Sequence, residues 1–312
     1  MSRTRKDRFS WWQSRIGVLH GFEKEAASLY SKTGMAYEVG PQAISKLALF
    51  AYYVKVYTTI IKKRFPNAYY IDLFAGCGLT KITSTGDVVL GSALLADRVP
   101  DEGKKFDKTI LVEKDPEYAE VLRKLAPYAT VINEDVNKVD WEKVLPPEET
   151  KGVPMLVLVD PEGMDSDWAT ILPLLKRWSD VIINHQVEGP RRIGGRVWAE
   201  PTYARALTKF YGTEDWKKLG KYSDDGFFNV YLDQVRSCKD IVVPTKVRGE
   251  GGFFYYMLVA VKKTGGDQGW IDAIERARTH IEASGPRLID SLLDVYTKRA
   301  PSLDIWSTAE SV

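Results

Sequence analysis

Four acidic residues stand where a chain of this pattern would do chemistry. Asp72, Glu113, Asp135 and Asp160 each close or directly follow a different apolar run: AYYIDLF (68–74), TILVEKD (109–115), ATVINED (129–135) and VPMLVLVDPEG (153–163). A single acid after a strand often does no more than cap the next helix. Four of them fit a shared site better, because ligands of open parallel sheets bind outside the carboxyl ends of the strands.

The first run leads into DLFAGCG (72–78), whose two glycines let the backbone turn sharply and come close to a ligand. Phe74, Gly76, Cys77 and Gly78 are the expected loop contacts, with Asp72 at its entrance. The third glycine of the dinucleotide fingerprint is missing, and no G-x-x-x-x-G-K-[ST] occurs, so a P-loop is excluded. Glu113, with Lys114 beside it, ends the second run, where an acid can accept hydrogen bonds from both ribose hydroxyls. Asp135 and Val136 stand at the end of the third, suited to an adenine. A nucleoside cofactor without a pyrophosphate fits this set better than NAD does, which points to S-adenosylmethionine.

Chemistry is expected at DPEG (160–163). Methyl transfer needs an aligned nucleophile more than a strong base, and Asp160 or Glu162 can hold or take a proton. Both are the catalytic candidates; Asp160 also borders the cofactor, and Pro161 the substrate. GPRRIGGRVW (189–198) reads as a loop on the same side of the sheet, with Arg191, Arg192 and Arg196 available for phosphate. The competing reading is a solvated loop whose arginines pair with nearby acids. His185 ends the fifth run near the site, where a packed or capping histidine is the leading reading and a substrate contact the other. Cys77 reads as a small loop residue rather than a nucleophile, and Cys238 as inert.

These residues need a scaffold. The 312 residues are 44% hydrophobic and 28% charged, ample for a core, and the formal charge of +2 leaves any polyanion site to a local patch. Two cysteines make neither a zinc cluster nor a disulfide framework, so a reducing cytoplasm is expected, and no long apolar run suggests a membrane span. Strands at 68–74, 109–115, 129–135, 153–163 and 179–185 alternate with helices at 91–98, 116–126 and 168–178, which predicts a doubly wound parallel α/β sheet. Residues 240–249 and 253–263 predict an antiparallel strand pair joined through GEGG, followed by a helix over 268–284 and a tail that packs back. A long helix runs from Pro41 to Arg64, the segment 10–32 has helical periodicity weakened by Gly17 and Gly21, and the basic opening MSRTRKDRF reads as mobile. The expected organisation is an N-terminal helical extension (1–66), a Rossmann-like domain (67–265) with an insertion around 186–235, and a C-terminal helix and tail (266–312).

The series D-L-F-A-G-x-G, V-E-K-D, N-E-D-V and D-P-E-G resembles the motif series of class I S-adenosylmethionine-dependent methyltransferases. More narrowly, KLALFAYYVKVY, YIDLFAGCG, GSALLA (91–96) and DPEG resemble the three-Cys-motif partner family, over roughly residues 41–200. Cys77 and Ala93 stand where that family has prolines. The resemblance implies a neighbouring metalloprotein with three cysteines as partner. Amino methyltransferases of nucleic acids often carry [D/N/S]-P-P-[Y/F/W] at this strand end; Asp160 and Pro161 match its first half, and no aromatic follows. The cytosine-C5 type is disfavoured because no cysteine follows the fourth strand. The expected function is methyl transfer to nucleic acid, RNA ahead of DNA. The competitors are a small-molecule methyltransferase, a nucleotide-dependent oxidoreductase, and a cofactor-binding scaffold without activity.

Overall fold

The computed structural model describes residues 3–249, 252, 254–263, 268–285, 291 and 296. The strands are β1 (Tyr37–Val39), β2 (Tyr69–Asp72), β3 (Leu79–Ile82), β4 (Val88–Leu90), β5 (Lys108–Val112), β6 (Thr130–Ile132), β7 (Met155–Val159), β8 (Ser179–Gln186), β9 (Ile241–Arg248) and β10 (Phe254–Val261). The helices are α1 (Arg3–His20), α2 (Glu23–Thr33), α3 (Ala43–Ile61), α4 (Ser92–Arg98), α5 (Pro116–Leu125) and α6 (Trp141–Val144). They continue with α7 (Pro147–Thr150), α8 (Trp168–Lys176), α9 (Glu188–Ile193), α10 (Pro201–Tyr211), α11 (Asp224–Arg236) and α12 (Gln268–Glu282).

Seven strands form the main sheet in the order β6-β5-β2-β7-β8-β10-β9. β5, β6, β2, β7 and β8 pair in parallel, while β10 runs antiparallel to both β8 and β9. This is the mostly parallel, Rossmann-like α/β sheet with an antiparallel pair that the periodicity predicts. The strand order reverses between β2 and β7, and that switch point opens a crevice at the carboxyl ends. All five residues of β7 are buried, as expected of a central strand covered on both faces.

Strand alternation sorts the core into two layers. Tyr70, Leu111, Leu156, Leu158 and Ile182 face the layer built with α1, α3 and α12. Ile71, Ile110, Val157, Val159 and Ile183 face the layer built with α8, α10 and α11. α3 is 19 residues long and apolar enough to cross a membrane by composition. Here it is a core helix, with Leu49, Tyr53 and Val54 fully buried.

Three parts depart from expectation. A second, three-stranded sheet, β1-β3-β4, flanks the main one; strands of three or four residues are too short to show a period. The basic opening is not a loose arm, because α1 begins at Arg3. The Gly- and Arg-rich segment is not a loop either: α9 and a 3-10 turn (Gly194–Trp198) take it up. Arg191 holds that segment to α11 by donating to Asp224 at 2.6 Å, and it also donates to Glu188 at 2.8 Å. The GEGG connection and the LIDSLLDVYTKRAPSLDIW tail lie largely or wholly outside the described residues.

Candidate active site

The crevice is a cleft of about 730 Å³. The loop between β2 and β3 forms one wall. Its backbone is stitched to both neighbouring strands, since the Leu73 amide donates to the Leu158 carbonyl and the Ala75 amide to the Val112 carbonyl. Gly76 (φ 58°) and Gly78 (φ 85°) sit in the left-handed region that favours glycine. A side chain at Gly76 would meet nothing within 4 Å, so its α-carbon faces open space. At Gly78 it would press on Leu122 and Leu94, so that glycine serves packing.

Gly91 and Ser92 brace the loop from behind. The Gly91 amide donates to the Gly78 carbonyl, and a β-carbon on Gly91 would stand 3.1 Å from that oxygen. The Asp72 carboxylate accepts three hydrogen bonds, from Ser92 Oγ at 2.7 Å, from Tyr70 OH at 2.8 Å and from the Phe74 amide at 3.1 Å. Asp72 is fully buried and does not line the cleft. Burial pushes its carboxyl up to about 6, against the pull of those donors. Its place is to fix the loop entrance, not to touch a ligand.

Glu113 directly follows β5 and lines the cleft. Its Oε1 accepts from the Asp115 amide at 2.7 Å, burial raises its carboxyl, and the Asp115 and Gly76 amides pull it back down. Lys114 is exposed on the cleft wall. Asp135 lines the cleft while one oxygen caps the turn at Asn137, so it caps without leaving the cleft wall. Val136 is buried beside it and also lines the cleft. Phe74 lines the cleft too.

At the end of β7, Asp160 is held from two sides. Asn184 Nδ2 donates to Oδ1 at 2.7 Å, and Lys46 Nζ pairs with Oδ2 at 2.6 Å. Gln186 Nε2 donates to the Pro161 carbonyl at 2.9 Å, which pins the DPEG turn. Glu162 is exposed at the rim. Lys46, Asn184, Gln186 and Ser92 went unnoticed in the sequence. The polar pair Asn184 and Gln186, two apart at the end of an apolar strand, was a usable signal. Lys46 gave none, since it reaches the cleft from the first turn of α3.

Several expected site residues are placed elsewhere. His185 does not line the cleft. Strand alternation turns it to the opposite face from Asn184 and Gln186, where it is 2% exposed among Phe210, Tyr211, Phe228 and Tyr231. Cys77 is buried, donates to the Leu79 carbonyl, and has its thiol pushed up by burial; its side chain belongs to the core and does not line the cleft. Arg191 is committed to Asp224 and Glu188. Arg192 and Arg196 are exposed but lie outside the cleft. Their segment borders it, because Gly189 packs against Gly163 and the lining residue Met164.

The electrostatics are lopsided. Glu113, Asp115, Glu134, Asp135, Asp160, Glu162, Asp165 and Asp167 line the cleft, eight carboxylates against the two lysines Lys46 and Lys114 among the described lining residues. Such a cleft suits a ligand with net positive charge and opposes a pyrophosphate.

No family model matches the chain, and no curated protein matches it. Among solved structures it is similar to a protein of Legionella pneumophila str. Philadelphia 1 from the DUF519 family, with 14% identity, 76% of this chain and 94% of that one covered, and a TM-score of 0.47. It is similar to an rRNA methylase from Streptococcus thermophilus at 8% identity, over 66% of this chain and 95% of that one, with a TM-score of 0.34. It is also similar to Trm1 from Pyrococcus horikoshii, solved with S-adenosyl-L-methionine, at 10% identity, over 75% of this chain and 58% of that one, with a TM-score of 0.36. Likeness of this degree leaves the chemistry of the cleft as the basis for function.

Proposed function

We propose that the protein is an S-adenosylmethionine-dependent methyltransferase of the class I type that acts on nucleic acid, RNA ahead of DNA. The observation that carries the reading is the acid-rich cleft around the Gly76–Gly78 loop. S-adenosylmethionine bears a sulfonium and an ammonium against one carboxylate, a net positive charge that eight lining carboxylates favour. NAD would bring two phosphates into the same acids. Glu113 would accept from the ribose hydroxyls, Asp135 and Val136 would flank the adenine, and the open α-carbon of Gly76 would admit the amino acid end.

When bound, this cofactor supplies an electrophilic methyl group. The chain's part is to hold and deprotonate the acceptor. Asp160, fixed by Asn184, would present a carboxylate that accepts a hydrogen bond from the acceptor group and takes its proton. Gln186 keeps the adjacent turn from shifting.

The rim supports a nucleic acid substrate. Trp198 is 38% exposed, Arg192 and Arg196 are exposed close to it in sequence, and Tyr203 lies under the Arg196 guanidinium. Cations interleaved with open aromatic faces suit unpaired bases and their phosphates, the form in which RNA is read.

The test is calorimetric binding of S-adenosylmethionine and S-adenosylhomocysteine, with NAD as control, repeated on Glu113→Ala, followed by transfer from labelled cofactor to unmodified bulk tRNA. Binding of both adenosyl compounds but not NAD, lost in the variant, is expected. Binding of NAD alone would overturn the reading in favour of an oxidoreductase, and binding without transfer to any nucleic acid would overturn the substrate class.

A further inference from the structure

The ion pair between Lys46 and Asp160 joins two residues whose uses conflict. Asp160 is the group the acceptor needs, yet its Oδ2 is taken by Lys46 Nζ at 2.6 Å. Neither partner is locked away, since the side chains are 25% and 19% exposed and both line the cleft. The cation sits in the first turn of α3, near the positive end of the helix, where a neighbouring anion favours it. In this structure that is Asp160.

The glycine loop and Asp160 stand on adjacent strand ends, because β2 and β7 pair directly, with Asp72 opposite Leu158. A ligand whose amino acid end lies by the loop therefore brings its carboxylate to the neighbourhood of Lys46. The other lining lysine, Lys114, follows Glu113 just beyond the end of β5, by the proposed ribose contact.

Resting on the cofactor reading above, we infer that Lys46 is an exchange residue. It leaves Asp160 for the α-carboxylate of the cofactor, and by leaving it frees Asp160 to receive the acceptor. Asn184 keeps Asp160 in position when Lys46 departs. The exchange imposes an order, cofactor first and acceptor second, because the acceptor's hydrogen-bond site is occupied until the cofactor has arrived. It also makes Lys46 a positioning residue: it acts on the acceptor only through the carboxylate it releases.

The experiment uses two probes that share the adenosine and the thioether. S-adenosylhomocysteine has the α-carboxylate; methylthioadenosine has no amino acid part. Both are titrated calorimetrically into the full chain, into Lys46→Met, into Asp160→Asn and into the double variant. Lys46→Met is expected to weaken S-adenosylhomocysteine by about tenfold and leave methylthioadenosine unchanged. Asp160→Asn is expected to tighten S-adenosylhomocysteine several-fold, because Lys46 no longer has to be pulled from a charge, again with methylthioadenosine unchanged. In the double variant the tightening vanishes, the mark of two residues acting as one unit. Unchanged methylthioadenosine binding also reports that each variant is folded. Equal shifts for both probes, no effect of Lys46→Met, or weakening by Asp160→Asn would overturn the exchange while leaving the cofactor assignment intact. Failure of the unaltered chain to bind either probe would overturn both.

Discussion

Replacing His185 by Phe separates a packed histidine from a functional one, and the structure sets the size of the effect. The imidazole is 2% exposed, and neither ring nitrogen has a hydrogen-bond partner among the described residues. The rings that face it come from α10 and α11, and the titratable ones, Tyr211 and Tyr231, have hydroxyls pushed up by burial and stay neutral. Nothing charged repays protonation, and burial lowers the imidazole from 6.5 to about 4. The folded state therefore resists a proton that the unfolded chain accepts. In that window the unfolded state binds more protons, so stability is intact above about 6.5 and is lost as pH falls towards about 4. Between about pH 7 and about pH 5 the two values give a loss of about 2 kcal/mol from this residue alone. His185→Phe removes that loss and places apolar carbon where two polar nitrogens lacked partners. Urea unfolding of both proteins at the two pH values is the assay, since acid effects shared by both cancel in the difference. The variant should gain about 2 kcal/mol over the parent between the two conditions, with cofactor binding unchanged. His185→Leu should show the same pH dependence if the larger phenyl ring is crowded. A stability difference independent of pH, or loss of ligand binding in both variants, would refute the packed reading.

Gly91→Ala should push a methyl to within 3.1 Å of the Gly78 carbonyl oxygen, destabilise by about 1–3 kcal/mol in thermal unfolding, and weaken S-adenosylhomocysteine by displacing the loop it braces. Asp160→Asn should abolish transfer to nucleic acid while still binding the cofactor, as read by labelled transfer beside calorimetry. The double charge reversal Arg192→Glu and Arg196→Glu should cut affinity for a single-stranded RNA and reduce the salt slope by about 1.4. Arg191→Glu should instead lower thermal stability by roughly 1 kcal/mol, because Arg191 serves Asp224 and Glu188.

What the sequence revealed and what it hid follow from the range of the forces involved. The strands of the main sheet were readable because each is an apolar run bounded by polar residues, and a fully buried strand such as Met155–Val159 leaves an unmistakable run. The acids at their ends were readable because a parallel sheet delivers all its carboxyl ends to one edge. Which face a residue takes was harder: His185 and Asn184 are neighbours in sequence, and a strand sends them to opposite layers. Arg191 looked free because its partner Asp224 lies on another helix. Lys46 was invisible for the same reason, as nothing in KLALFAYY points to an aspartate on β7. Asp72 looked like a ligand contact, and only the hydroxyls of Tyr70 and Ser92 beside it show that it is a fastener.

The six residues between β2 and β3 are strung between two sheets. β2 is sewn into the main sheet, and β3, which starts at Leu79 directly after Gly78, pairs with β1 on one side and β4 on the other. β1 and the start of α3 precede the main sheet in the chain, yet Tyr37, Val39 and Lys46 line the cleft. The pocket therefore cannot be inherited or transplanted as the seven-stranded sheet alone. A graft that moved the acids and the glycine loop into a foreign scaffold would leave the loop tethered at one end and the cleft without the part of its lining that β1 and α3 supply. Any lineage that discarded residues 37–47 would have to reinvent a strand partner for β3 and a cation for Asp160 in the same step.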